Sequence, residues 1–168
     1  MNAYREPALT NTLIELVGKV GEALQSKAWQ LATAESCTGG GVACAVTAVA
    51  GSSAWFDSGF VTYSNTSKTA LLNVAPEMIA EFGAVSEEVA AAMAQGALSN
   101  SNAHIALSTT GIAGPGGAVP GKPVGTVCFA WSRGGATRTE TVVFAGDREA
   151  VREQSVAHAL EGLLNFIE

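Results

Sequence analysis

The stretch Ala34-Glu35-Ser36-Cys37-Thr38-Gly39-Gly40-Gly41 constrains this chain more than any other. It follows a short β-like run, Trp29 to Thr33, and opens into Val42-Ala43-Cys44-Ala45-Val46-Thr47-Ala48-Val49, which reads as an apolar helix. A strand that turns through small residues straight into a helix sets one side chain at the sheet edge. That side chain lies beside helix N–H groups with no partner inside the helix. Those groups and the helix dipole favour an anion. A hydroxyl at Ser36 there attacks an electrophile or holds a phosphate. The same residues also suit a plain junction, in which Ser36 or Thr38 caps the helix and the glycines make the turn. Local pattern leaves both readings open.

The rest of the chain falls into order around this junction. Leu9, Leu13, Leu16, Val17, Val20 and Leu24 recur at three and four residues, predicting an amphipathic helix over about 9–27. Gly51-Ser52-Ser53 breaks the chain, and Trp55 to Tyr63 alternates as a strand, with Gly59 marking a close approach or a bulge. Ser64 to Lys68 reads as a polar turn before a short helix, Thr69 to Leu72. Pro76 opens a helical piece that ends at Gly83, and Ser86 caps an alanine-rich helix from Glu87 to Ser99. His104 to Ser108 is a buried strand running into the glycine-rich loop Thr109 to Gly117. Gly125 to Ser132 and Thr137 to Phe144 form two strands joined by a hairpin turn, and Asp147 caps a last helix with an apolar stripe. With 168 residues and no repeat or linker, one domain over 1–168 is expected, its core at about 9–167. The fold class is α/β: a three-layer α/β/α sandwich whose central sheet is mixed because of the late hairpin.

Composition narrows function. The formal net charge is −6 with no basic cluster, which disfavours nucleic acid, since a phosphate backbone needs a stripe of Lys and Arg. Hydrophobic residues at 48% against 14% charged suit a compact subunit of a homo-oligomer. Cys37, Cys44 and Cys128 form no CxxC pair, and His104 and His158 show no zinc-ligand spacing. Met1 to Pro7 lacks the apolar core of a signal peptide, and no run reaches the roughly 20 apolar residues of a membrane span. The expectation is a cytoplasmic, reduced protein with no membrane partner, metal or cofactor.

Three loops, 35–41, 63–68 and 109–117, each follow a strand, so all three can meet at one end of the sheet, where α/β proteins collect ligands. Two are glycine-rich, but neither is a P-loop or a GxGxxG dinucleotide motif. A serine nucleophile needs a base. Neither histidine neighbours these loops, whereas Lys68 does, and a lysine serves when desolvation lowers its pKa. Lys68 also reads as an ordinary solvated lysine, and Tyr63 as its relay or orienting partner. Glu35 suits hydrogen bonding to the turn's backbone donors or general-acid work. Cys37 suits buried filler or a nucleophile. Arg148 and Arg152 pair with nearby acids or reach a ligand phosphate.

Taken together, several blocks resemble the CinA C-terminal-domain family. They are Ala34 to Gly40, Gly51 to Phe56, Thr62 to Asn65, Gly83 to Ser86, Gly111 to Gly117, Lys122 to Val127 and Gly146 to Arg148, and they span nearly the whole chain. The resemblance implies a nicotinamide-nucleotide amidohydrolase, which converts nicotinamide mononucleotide to the acid and ammonia. It implies a serine nucleophile at Ser36, a lysine base at Lys68 and a supporting tyrosine at Tyr63, with no metal. It sets Glu35, Thr38, Gly39, Gly40, Thr110, Gly111 and Arg148 around the substrate, with N–H groups of Thr38 to Gly40 receiving the oxyanion. Nothing in the 114–123 segment carries over. The rival is a non-catalytic nucleotide-binding or protein-interaction module of the same fold.

Overall fold

A computed structural model describes residues 10–168. The first helix, α1 (Asn11–Ser26), begins where the Thr10 hydroxyl accepts from the Leu13 N–H; Leu9, placed in this helix by its spacing, lies outside the described residues. Five strands follow: β1 (Leu31–Glu35), β2 (Phe56–Val61), β3 (Ile105–Gly111), β4 (Thr126–Arg133) and β5 (Ala136–Val143). They form one sheet in the order β2-β1-β3-β4-β5. β1 runs parallel to both β2 and β3, while β3–β4 and β4–β5 pair antiparallel, so the sheet is mixed for the reason expected.

The remaining helices are α2 (Gly41–Thr47), α3 (Asn65–Leu72), α4 (Pro76–Phe82), α5 (Glu87–Ser99) and α6 (Arg148–Ile167). α1, α2 and α6 cover one face of the sheet and α3, α4 and α5 the other, giving three layers. Strand alternation sorts side chains between two cores of different grain. Toward α1 and α6 the sheet presents Leu31, Ile105, Leu107, Phe129 and Trp131. Toward α5 it presents Ala32, Ala34, Ala106 and Ala130, which meet Ala90, Ala94 and Ala97. Small residues on both sides bring α5 close to the sheet. None of the helices among the described residues is long and apolar enough to cross a membrane.

Boundaries shift in three places that matter to the site. β1 ends at Glu35 rather than Thr33, so Ser36 follows the strand directly. β3 runs on through Thr109, Thr110 and Gly111, expected in the loop, because all three still pair with β4. α3 starts at Asn65, four residues earlier than expected, because the Ser64 hydroxyl caps it by accepting from the Ser67 N–H at 3.1 Å. Gly59 marks a close approach: a Cβ there would lie 3.0 Å from the Thr33 hydroxyl oxygen. A register shift also bulges β2 between the partners of Leu31 and Ala32.

Candidate active site

Because β1, β2 and β3 are parallel, their C-terminal ends share one edge. Glu35 is in register with Val61 on one side and Thr109 on the other, so Ser36, Thr62 and Thr110 emerge together. The chain passes from β1 to β2 on one side and returns to β3 on the other, and open sheets leave a ligand crevice at such a reversal. The crevice holds a cavity of about 180 Å³ whose lining includes Ser36, Cys37, Tyr63, Lys68, Thr110, Gly111 and Arg148.

Lys68 is no solvated lysine. It sits one turn into α3 with its side chain directed inward, and only 1% of its surface is exposed. Its Nζ lies 3.0 Å from the Ser36 Oγ and donates to the Thr62 carbonyl at 2.8 Å. Burial holds the amine's pKa below its ordinary 10.5. A charge on Cys37 would oppose this, but burial pushes the Cys37 thiol up to about 12, leaving it neutral at physiological pH. No carboxylate steadies the lysine either; among the described residues the one ion pair is His158 with Glu140. A neutral amine has one lone pair and two N–H groups. It can donate to Thr62 and accept the Ser36 hydroxyl proton at once.

The anion expected at the N-terminus of α2 is present, and it belongs to the protein. Glu35 is fully buried, and its carboxylate accepts from the Thr38 hydroxyl at 2.6 Å and from the N–H groups of Gly40, Val42 and Ala43 at 2.8–3.1 Å. Gly40, the N-cap, has no side chain to do this. The carboxylate therefore occupies the position proposed for a substrate phosphate. Glu35, Thr38, Gly39 and Gly40 build the turn behind Ser36 and do not line the cavity. Thr38 is 1% exposed, held between Glu35 and the Thr109 hydroxyl. The Gly39 N–H is spent on the Ser36 carbonyl.

At the mouth, the Tyr63 hydroxyl accepts from Arg148 at 3.1 Å and makes no hydrogen bond to Lys68 or Ser36. Arg148 also donates to the Gly114 carbonyl at 2.8 Å. The group that orients Lys68 is instead the Thr62 carbonyl, which no side-chain motif announces. Thr110 donates through its hydroxyl to the Ala84 carbonyl at 2.7 Å, fastening the Gly83–Ser86 segment as a cavity wall. Arg152 donates to the carbonyls of Cys37 and Thr38, each at 3.2 Å. Both histidines stay away: His104 accepts from the Gln30 N–H, and His158 lies among the Phe129 and Phe144 rings.

Fold and site together define a three-layer α/β protein with a buried serine–lysine pair at the strand edge beside its first switch point. The chain belongs to the CinA C-terminal domain family, which it matches over residues 13–167. It is 52% identical to the nicotinamide-nucleotide amidohydrolase PncC of Pseudomonas putida, over 90% of this chain and 94% of that protein. The protein of the same name from Escherichia coli K12 is 53% identical, with 90% and 92% covered. The crystal structure of the competence/damage inducible protein CihA from Agrobacterium tumefaciens superposes with a TM-score of 0.91 at 41% identity, covering 95% of this chain and 99% of that one.

Proposed function

We propose that this protein is a nicotinamide-nucleotide amidase that hydrolyses the carboxamide of nicotinamide mononucleotide through Ser36 and Lys68. One observation carries the mechanism: a lysine amine buried without a counter-ion, 3.0 Å from a serine hydroxyl at a cavity. The relatives' activity supports the substrate. The cavity, at about 180 Å³, is below the roughly 300 Å³ of a pocket that takes in a whole ligand, so only part of the nucleotide would enter it. It suits the carboxamide-bearing ring, with the ribose phosphate left at the mouth beside Arg148 and Tyr63.

Lys68 takes the Ser36 proton as the Oγ attacks the carboxamide carbon, and the carbonyl electron pair moves onto oxygen. The tetrahedral adduct collapses with rupture of the C–N bond. Lys68 returns its proton to the departing nitrogen, and ammonia leaves. Water then adds to the acyl-enzyme, giving its proton to Lys68, and the second collapse frees the acid and restores Ser36. Three free cysteines fit a reduced, cytoplasmic setting.

Ammonia release from nicotinamide mononucleotide by the parent chain, Ser36→Ala and Lys68→Met tests the reading. Release by the parent alone, with ligand binding kept in both variants, is the expected result. Equal release by Ser36→Ala would remove the nucleophile. Binding without release by the parent would favour a non-catalytic module. Sedimentation of the same preparation tests the self-association expected from composition, which a monomer would exclude.

A further inference from the structure

The amidase reading needs N–H groups to receive the oxyanion, and hydrogen bonding in the nucleophile turn limits which are available. The Gly39 N–H goes to the Ser36 carbonyl, the Gly40 N–H to Glu35 and the Gly41 N–H to the Thr38 carbonyl. Among the described residues, only the N–H groups of Cys37 and Thr38 in this turn meet no acceptor. Cys37 lines the cavity next to Ser36.

In a planar trans peptide the C=O and the following N–H point in opposite directions, so holding one aims the other. The Cys37 N–H belongs to the peptide whose Ser36 carbonyl is held by the Gly39 N–H. The Thr38 N–H belongs to the peptide whose Cys37 carbonyl accepts from Arg152 Nε at 3.2 Å. The next carbonyl, Thr38, takes the Arg152 Nη2, also at 3.2 Å. Arg152 thus holds two successive peptides from the α6 side, while Glu35 holds the amides that follow.

We infer that Arg152 is a positioning residue that fixes the Cys37 N–H as the oxyanion donor: the Thr38 carbonyl it holds belongs to the peptide whose Gly39 N–H holds the Ser36 carbonyl, and so the peptide that carries the Cys37 N–H. The inference rests on the amidase reading. Arg152 touches no substrate in this role. Its planar fork spans two carbonyls, which a lysine's single ammonium point charge cannot do in the same geometry.

The test measures kcat, KM and melting temperature for Arg152→Gln, Arg152→Lys and Arg152→Ala with nicotinamide mononucleotide. Loss of an oxyanion donor typically costs about 10²–10³ in kcat, so Arg152→Gln should lose about 10²-fold in kcat with KM within about threefold. Arg152→Lys should recover part of the loss, and millimolar guanidinium should raise the rate of Arg152→Ala. The pH at which activity falls as Lys68 gains its proton should be the same as in the parent, because the Ser36–Lys68 contact is untouched. A raised KM with unchanged kcat would overturn the inference by making Arg152 a substrate ligand, and an unchanged kcat with unchanged KM would overturn it outright. If Arg152→Gln does not fold, Arg152→Lys carries the same comparison. A parent chain without turnover would remove the amidase reading itself, and this inference with it.

Discussion

Whether Lys68 carries a proton decides what Ser36 can do. Desolvation lowers its pKa below 10.5, so the fraction of neutral amine at a given pH exceeds that of a solvated lysine. Amidase kcat/KM should therefore fall as pH drops through the lowered pKa, a limb that Lys68→Met lacks; a flat profile in the parent would exclude Lys68 as base. The same shift predicts a stability signature. Between the lowered pKa and 10.5 the unfolded chain binds a proton that the folded chain does not, so this contribution to stability rises with pH across that window. Cys37 acts in the opposite sense. Its folded pKa of about 12 lies above the ordinary 9.0, so its contribution is complete below 9.0 and lost as pH rises toward 12. Urea midpoints of the parent and Lys68→Met against pH separate the two, because the variant keeps the buried thiol and lacks the amine. The residue types at Ser36 and Lys68 were legible in the sequence; the lysine's burial was not, since it depends on α3 packing against α5 and on Ser36 and the Thr62 carbonyl meeting its amine.

At the level of elements, the base is delivered by α3, and α3 is placed by α5. Gly96 of α5 lies against the Leu72 carbonyl at the end of α3, and a Cβ built on Gly96 would overlap that carbonyl. Gly96→Ala must therefore push α3 outward, at a cost of about 1–3 kcal/mol for overpacking. The shift carries Lys68 away from Ser36, and a displacement near 1 Å can cost about 10²-fold in rate. A melting temperature lowered together with a large loss of kcat is the expected outcome; unchanged kcat would show that α3 is placed by other contacts. The sequence carried part of this. Ser64 ahead of Asn65-Thr66-Ser67 is a helix N-cap that, taken at face value, starts α3 early enough to include Lys68. The role of Glu35 was half legible: its suitability for the turn's backbone donors could be read. Its filling of the helix N-terminus follows from β1 extending two residues further, where tertiary pairing with Val61 and Thr109 outweighed local pattern.

Across the whole molecule, the site lies where two independent cores meet. The fine-grained alanine core carries Lys68 through α3 and α5, the coarse core carries Arg148 and Arg152 on α6, and Ser36 stands on the sheet between them. The sequence announced α5 and α6 but not this division of labour, because it arises from which face each strand turns to which helix. The division makes stability and activity separable. Leu163 is fully buried in the coarse core, three turns along α6 from Arg152 and roughly 16 Å away at 1.5 Å per residue. Leu163→Ala should cost about 2–5 kcal/mol and lower the melting temperature by roughly 2–4 °C per kcal/mol. At 25 °C it should leave kcat within about threefold, because Arg148 and Arg152 tie the first turns of α6 to the site through the carbonyls of Gly114, Cys37 and Thr38. Set beside Gly96→Ala at comparable destabilisation, the two variants should differ in kcat by more than tenfold. Equal losses would mean that activity follows global stability, and that the placement of Lys68 by α5 has no separate part in it.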